Sequence, residues 1–275
     1  MTAAHHSSTA TLAPAAERPD TVSALERGIA VLRCFDEDRR FLGPTELAKL
    51  TGIPRPTVTR LAGTLVTLGL LKLDPQTERF MLGAGVVTLA RAFLAGLDIR
   101  AVARPHMQTL AEVFGGSVYL AVRDGMEMVL VEACRARSSM LAARLDVGSR
   151  VPMANAALGR AYLAAIAPAE RAQLIEVLRL SRGSDWASLA PGLNKALDDA
   201  QHLGYCVSAG EFHREINSVS VPLVGPDGEV MALNCGGAAF AFTEERLRLE
   251  LAPRLIAMAM TIADEIGGSV PNLPH

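Results

Sequence analysis

The chain contains 275 residues, of which half are apolar and a fifth are charged, and this length accommodates two ordinary domains with their own cores. Its formal net charge of −2 excludes a uniformly basic nucleic-acid-binding protein, and its four cysteines, none in a CxxC pair, indicate neither a zinc site nor a disulfide framework. Because charges interrupt every long apolar run, we expect a soluble, cytoplasmic protein without a membrane partner.

The predicted elements begin after a polar tail. Residues 1–20 have no early basic residue and no apolar core of the kind that a signal peptide carries, so we predict that this segment is disordered. Residues 21–36 carry apolar side chains at steps of three and four, which predicts an amphipathic helix. The apolar stripe of this helix consists of Val22, Leu25, Ile29, Leu32 and Phe35.

A helix-turn-helix pattern follows over residues 45–71. A short helix breaks at Gly52, with Pro54 and Pro56 just beyond the break. A second helix then carries apolar side chains at i, i+3, i+4 and i+7, the spacing of one helical face. The stripe that we expect to pack on the first helix is Val58, Leu61, Ala62 and Leu65.

Polar residues gather at the N-terminal end of this second helix, away from its apolar stripe. Between residues 47 and 73 the chain has four basic residues and no acidic one. A helix-turn-helix presents the front of its second helix to base edges and phosphates, and local basic patches matter more for nucleic-acid affinity than the overall charge. The pattern therefore predicts a DNA-binding regulator. The polar residues concerned are Arg55, Thr57, Thr59, Arg60 and Thr64.

A β-hairpin is predicted directly after the helix-turn-helix, because two short apolar runs flank Asp74-Pro75-Gln76-Thr77. This hairpin is the wing of a winged helix, and it completes a DNA-binding domain over residues 21–82. Arg79 lies near the wing tip, where the pattern allows either a DNA contact or a solvated side chain. Residues 83–98 form a linker, and its apolar helix carries a single charge, so we expect it to pack on its own copy in a dimer.

The segment over residues 99–268 alternates helical and strand patterns and is predicted to form a second domain. An antiparallel sheet with helices on its faces is the assembly that this order favours, so the whole chain is predicted to be α+β. Residues 269–275 are expected to form a tail. The predicted helices span residues 99–114, 154–166, 168–180, 189–203 and 243–266. The predicted strands span residues 118–122, 128–132, 140–147, 205–208, 218–224 and 230–235.

The second half carries no recognisable catalytic motif. It lacks GxSxG, HExxH, a P-loop and a GxGxxG that opens a helix, and Glu211 and Glu215 have no nucleophile or metal ligand near them in sequence. We therefore predict that the protein is not an enzyme and binds no cofactor or metal. Small, weakly polar residues around positions 154–159, 208–210 and 234–237 are compatible with a ligand pocket and equally with close helix–sheet packing.

Several ordered segments carry a family likeness. The stretch SALERGIAVLRCF, followed by LGPTELAKLTGIPRPTVTRLAGTLVTLGLL, closely resembles the N-terminal domain of IclR-type transcriptional regulators. The second half is similar in the order and spacing of RPHMQTLAEVFGGSVYLAVRDG, DVGSRVPMANAALGRAYLA and GYCVSAGEFHREINSVSVPLVGPDGEVMALNCGG. The likeness extends over residues 23–266.

The resemblance implies a fold and a set of partners. The fold is an N-terminal winged helix-turn-helix, a linker helix and a C-terminal GAF-like effector-binding domain. The partners are a palindromic double-stranded DNA operator, a small-molecule effector and further copies of the chain, in dimers or tetramers. On the second helix the resemblance points to Arg55, Thr57, Thr59 and Arg60 as DNA-facing residues, and the wing adds Arg79 as a further candidate.

The resemblance also implies that the effector is a small organic acid, aromatic acids included. Carried over by position, the apolar wall of its pocket consists of Met140, Ala143, Val151, Ala157 and Leu158. The polar side consists of Ser208, Ser218, Asn234 and Gly236. The effector itself, the operator sequence and the sign of regulation stay open.

Two other functions are compatible with a winged helix. The chain could be a small-molecule enzyme with an accessory winged helix, which requires a nucleophile or a metal triad that the second half does not show. Alternatively, the winged helix could serve protein contacts alone, which failure to bind DNA upstream of its own gene would favour.

Overall fold

The computed structural model describes residues 21–137 and 145–272. Contacts between residues divide the chain into two compact units, Met1–Gly96 and Leu97–His275. Among the described residues, every helix is too short or too polar to cross a membrane.

The first unit is a winged helix followed by a single helix. Its elements are α1 Ser23–Leu32, α2 Pro44–Thr51, α3 Arg55–Thr67, β1 Leu71–Asp74, β2 Arg79–Leu82 and α4 Gly85–Ala95. Gly52 ends α2 with φ = 69°, a left-handed conformation that glycine adopts without a steric penalty. The predicted stripe of α3 packs inward, since Val58 and Ala62 are fully buried together with Leu47 of α2. The helix-turn-helix prediction is confirmed.

Helix α1 differs from its prediction in length and orientation. It ends at Leu32, and its buried residues are Gly28 and Val31. Of the predicted apolar stripe, Val22 and Leu25 are about two-thirds exposed, while Phe35 beyond the helix joins the core. The reason is that only the C-terminal part of α1 reaches the core formed with α2 and α3.

Helix α4 has no buried residue within its own unit. Val87, Leu89 and Phe93 are all more than half exposed, although an apolar helix is expected to bury its side chains.

The second unit contains a six-stranded antiparallel sheet in the order β5-β4-β3-β8-β7-β6. The predicted turns at Asp124-Gly125 and at residues 225–228 join neighbouring strands. The predicted strand over residues 140–147 lies mostly outside the described residues. The strands are β3 Ser117–Asp124, β4 Glu127–Arg135, β5 Arg150–Pro152, β6 Cys206–His213, β7 Ile216–Val224 and β8 Val230–Ala238.

Helices cover both faces of this sheet. Helices α5 Ile99–Phe114 and α10 Ala252–Ile266 pack on one face, while α6 Ala157–Ala165, α7 Pro168–Arg182 and α8 Trp186–Leu203 form the layer on the other. Before α10, the short helix α9 Glu244–Arg246 continues into a π-helical turn, Leu247–Leu251. Thr243 caps α9, since its hydroxyl accepts the backbone N–H of Arg246. Beyond α10, Ser269 forms a β-bridge with Val224. The α+β, GAF-like architecture is confirmed.

Candidate functional site

The front of α3 is a polar, cationic surface. Arg55, Thr59 and Arg60 are exposed, and Thr57 is half-buried. Among the described residues, neither Arg55 nor Arg60 forms an ion pair, so both guanidinium groups are available to an external anion. The Thr59 hydroxyl donates to the Arg55 carbonyl at 3.0 Å, which leaves its methyl group and its oxygen lone pairs at the surface.

The N-terminus of α3 is favourable to anions. Its N-cap is Pro54, which makes no side-chain capping bond, and its first turn contains no acidic residue. Pro56 has no N–H group, and the N–H of Thr57 donates to the carbonyl of Pro54 at 2.9 Å, so the helix dipole is the main source of partial positive charge at this end. Phosphate groups bind at such termini. The structure therefore brings four of the five predicted DNA-facing residues to one basic surface.

The fifth, Arg79, is engaged elsewhere in the same unit. Its guanidinium Nη2 lies 2.7 and 2.6 Å from the two carboxylate oxygens of Glu46. Glu46 belongs to the first turn of α2.

A cleft lies in the second unit between the sheet and the N-terminus of α6; its empty space is about 460 Å³ with the solvent at its mouth included, and the part accessible to the centre of a water-sized sphere is about 40 Å³. We call this cleft the cavity. Strands β3, β5, β6, β7 and β8 all contribute to its wall. Tyr119 and Phe212 supply aromatic surface, and Ser218 and Asn234 supply polar groups. The remaining lining residues are Leu145, Val151, Ala156, Ala157, Leu158, Ile216, Gly236 and Gly237.

Most of the predicted effector-binding residues that the structure describes line this cavity. They are Val151, Ala157, Leu158, Ser218, Asn234 and Gly236. Met140 and Ala143 lie outside the described residues. Ser208 does not line the cavity: it is buried, and its hydroxyl donates to the carbonyl of Asn155 at 2.8 Å. Its cross-strand partner Ser218 faces the cavity instead.

Sequence reasoning missed lining residues that come from distant strands, notably Tyr119 and Phe212. Tyr119 lies directly opposite Asn234 in the β3–β8 ladder, so pairing these strands by pattern would have found it. Phe212 had no such signal. The β6–β7 register shifts between Ala209 and His213, and strand alternation alone does not give the orientation of a residue inside such an irregularity.

A buried arginine holds together two walls of the cavity. Arg160 of α6 is 1% exposed, and its Nε donates to the Ala154 carbonyl at 3.0 Å. Its Nη1 donates to the Val207 carbonyl at 3.0 Å, and both terminal nitrogens donate to the Glu211 carboxylate, at 2.5 and 2.7 Å. The Asn155 side chain adds a bond to the carbonyl of Glu211 at 3.1 Å. The segment before α6 is thereby fixed to β6.

No charged side chain lines the cavity within the described residues. The N-terminus of α6, where Ala156 is an N-cap without a side-chain capping bond, borders the cavity and adds positive potential there. In the described ranges, no group of three or more His, Cys, Asp or Glu side chains is arranged to hold a metal ion.

The thiols of the second unit lie in the core, which removes them from ordinary thiol chemistry. Burial raises the pKa of Cys206 and of Cys235 to about 12. Burial also raises the pKa of Cys134 above its usual value. A thiol that stays protonated at neutral pH is neither a nucleophile nor a metal ligand.

Known proteins resemble this chain over nearly its whole length. The model for the IclR helix-turn-helix domain matches residues 24–75, and the model for the C-terminal domain of bacterial transcriptional regulator IclR matches residues 91–264. The HTH-type transcriptional regulator TsaQ1/TsaQ2 of Comamonas testosteroni is 32% identical over 252 residues, which cover 91% of this chain and 90% of that protein.

Two further matches also extend over most of both chains. The Pca regulon regulatory protein of Pseudomonas putida is 26% identical, with 91% of this chain and 86% of that protein covered. The crystal structure of an IclR family transcriptional regulator from Brucella abortus superposes with a TM-score of 0.86 at 39% identity, covering 94% of this chain and 98% of that one.

Proposed function

This chain belongs to the IclR family of bacterial transcriptional regulators, and we propose that it binds an operator through α3 under the control of a small organic acid in the second unit. The observation that carries the DNA-binding part is the pair of exposed arginines on α3, Arg55 and Arg60, neither of which pairs with a carboxylate among the described residues. Free guanidinium groups at the front of a recognition helix suit phosphates and guanine edges, while Thr57 and Thr59 suit phosphates and thymine methyl groups.

A gel-shift titration with DNA from upstream of the chain's own gene tests this assignment. Arg60→Ala should weaken binding by about 1–3 kcal/mol if Arg60 contacts a base. Arg254→Ala is the matched control, because Arg254 is an exposed arginine of α10 in the other unit. Equal affinity of the two variants would remove Arg60 from the DNA interface.

The cavity supports the effector part of the proposal. Its wall is mostly apolar with a few polar groups, as is common in small-molecule sites, and the aromatic rings of Tyr119 and Phe212 suit an aromatic ligand. The anionic group would lie at the N-terminus of α6, where backbone N–H groups and the helix dipole favour negative charge. A ligand that binds one conformational state better than another shifts the population toward that state, and this shift would alter operator affinity.

Two serines on neighbouring strands provide a matched test. Ser218 faces the cavity, and its hydroxyl bonds to no other described side chain or backbone group. Its cross-strand partner Ser208 bonds to Asn155 instead. In a thermal-shift screen against small aromatic and aliphatic carboxylic acids, Ser218→Ala should weaken the response to an active acid and leave the ligand-free melting temperature unchanged. Ser208→Ala should lower that temperature and leave the ligand response intact. The opposite pattern would place the ligand elsewhere.

Self-association is the third part of the proposal, and α4 supports it. Leu89 and Phe93, four residues apart on α4, expose one apolar face that a second copy of α4 would cover. In sedimentation velocity experiments, Leu89→Glu should shift the protein toward smaller species. Leu180→Glu, which alters an equally exposed leucine of α7, is the control. If both variants sediment like the wild type, α4 is not the interface.

A further inference from the structure

The wing is joined to the start of α2 by an ion pair. One guanidinium nitrogen of Arg79 lies 2.7 and 2.6 Å from the two carboxylate oxygens of Glu46. The same carboxylate accepts the backbone N–H of Gly43, the N-cap of α2, at 2.7 Å. Glu46 therefore caps its own helix and holds the wing arginine at the same time.

Backbone bonds fix the neighbouring residues to each other. The N–H of Leu42 donates to the carbonyl of Phe80 at 3.0 Å, and the N–H of Phe80 donates to the carbonyl of Leu42 at 2.9 Å. Phe80 and Leu42 are both buried in the core of this unit. Residues 42–43 and 79–80 are thus held together by two sets of contacts. The backbone bridge lies on the core side, and the Arg79–Glu46 pair lies on the outer side.

The charges of the wing oppose a direct phosphate contact by Arg79. From Leu71 to Leu82 the wing has two cations, Lys72 and Arg79, and two anions, Asp74 and Glu78. The bond from Gly43 and the pair with Arg79 hold the pKa of Glu46 below its usual value, so this carboxyl is ionised at neutral pH. If Arg79 moved to a phosphate, it would leave an unpaired carboxylate in the unit that must approach a polyanion.

We propose that Arg79 is a positioning residue, which sets the wing against α2 through Glu46 and neutralises no phosphate. This inference rests on the proposed DNA binding by α3. It removes Arg79 from the direct ionic contacts and gives Glu46, an acidic residue, a favourable role in DNA binding.

The dependence of affinity on salt separates the two roles. Each phosphate contact that is lost lowers the slope of log affinity against log salt by about 0.9, because fewer counterions are released. The probe is a short duplex enriched from random-sequence DNA by the wild-type protein, titrated over a series of KCl concentrations. Arg79→Met should weaken binding about two- to five-fold, the fold-change equivalent of an exposed ion pair, with the slope unchanged. A reduction of the slope by about 0.9 would overturn the proposal.

Glu46→Gln gives a second readout, because the two roles of Arg79 predict opposite changes in DNA affinity. Its amide oxygen still accepts the Gly43 N–H, so α2 stays capped, and circular dichroism checks that the variant is folded. A positioning role predicts weaker binding, since the variant removes the charge that holds Arg79 and places an amide NH₂ group against the guanidinium in place of one carboxylate oxygen. A phosphate-contacting Arg79 predicts tighter binding and a steeper slope, since the variant frees a cation and removes an anion, and this result would also overturn the proposal. If the wild-type protein enriches no DNA, the proposed function fails together with this inference, whereas a slope change in Arg79→Met alone leaves the proposed function standing.

Discussion

Removal of one negative charge at Glu211 should destabilise the second unit far more than removal of the same charge at Glu176. Glu211 pairs with Arg160, whose side chain is 1% exposed, whereas Glu176 pairs with Arg179 at the surface, where both side chains are about half exposed. Glu211→Gln and Glu176→Gln change the net charge and the side-chain volume alike. They differ only in whether a buried guanidinium loses its counterion.

The magnitude follows from burial and from the remaining partners. Breaking a fully buried ion pair costs about 3–5 kcal/mol, because an uncompensated charge stays in the interior. Glu211 itself is 38% exposed, so water screens part of this interaction. Arg160 also keeps the carbonyl groups of Ala154 and Val207 as acceptors. We therefore expect Glu211→Gln to lower the free energy of unfolding by about 2 kcal/mol, and Glu176→Gln by less than about 0.5 kcal/mol.

Urea unfolding monitored by tryptophan fluorescence measures this difference in the second unit of the chain, where both variants lie. Trp186 is the only tryptophan of the chain, and it packs at the start of α8 against the core that also contains α6. The m-value should be unchanged, since neither variant alters the surface exposed on unfolding. If the two variants unfold within about 0.5 kcal/mol of each other, the carbonyl groups alone hold Arg160, and the coupling of α6 to β6 by charge is refuted.

Two further predictions concern packing and titration. A Cβ on Gly159 would lie 2.2 Å from the Cα of Met153, so Gly159→Ala should lower the free energy of unfolding by at least about 1–3 kcal/mol. Gly63 lies in an open position within α3, so Gly63→Ala should raise this free energy by about 0.5–1 kcal/mol. Similar effects of the two variants in urea titrations would contradict the contact between Gly159 and Met153. Burial raises the pKa of Cys206 and Cys235 from 9.0 to about 12, so the unfolded chain loses these protons at a lower pH than the folded chain. The contribution of the two thiols to stability is therefore fully present below pH 9 and should decline as the pH rises toward 12. Replacement of both cysteines by alanine should flatten this alkaline decline in urea titrations, and an unchanged decline would show that other groups cause it.

Local patterns predicted most of the secondary structure. The i, i+3, i+4, i+7 stripe of α3 is buried as the periodicity indicates, and Gly52, Gly115 and Gly204 end their helices with positive φ angles. These features depend on residues within one or two helical turns of each other. Backbone geometry and helical periodicity act over that range, so the sequence displays them directly.

The cavity shows where such prediction reaches its limit. Ser208 and Ser218 look alike in sequence and are paired across two strands, yet one bonds to Asn155 and the other faces the cavity. Phe212 reaches the cavity from an irregular part of β6 that extends beyond the predicted strand. Which of these side chains meet depends on strand register and on the position of α6.

The sequence by itself determined the order of the elements, the polar front of α3 and the absence of a recognisable catalytic motif, because each is a property of residues close together in the chain. The tertiary structure alone decided how charges far apart in the chain are paired. It joined Arg79 to Glu46, 33 residues away, and Arg160 to Glu211, 51 residues away, while it placed no described carboxylate against Arg55 or Arg60. The physical reason is that an ion pair forms by proximity in space, and folding brings together groups whose separation along the chain carries no signal.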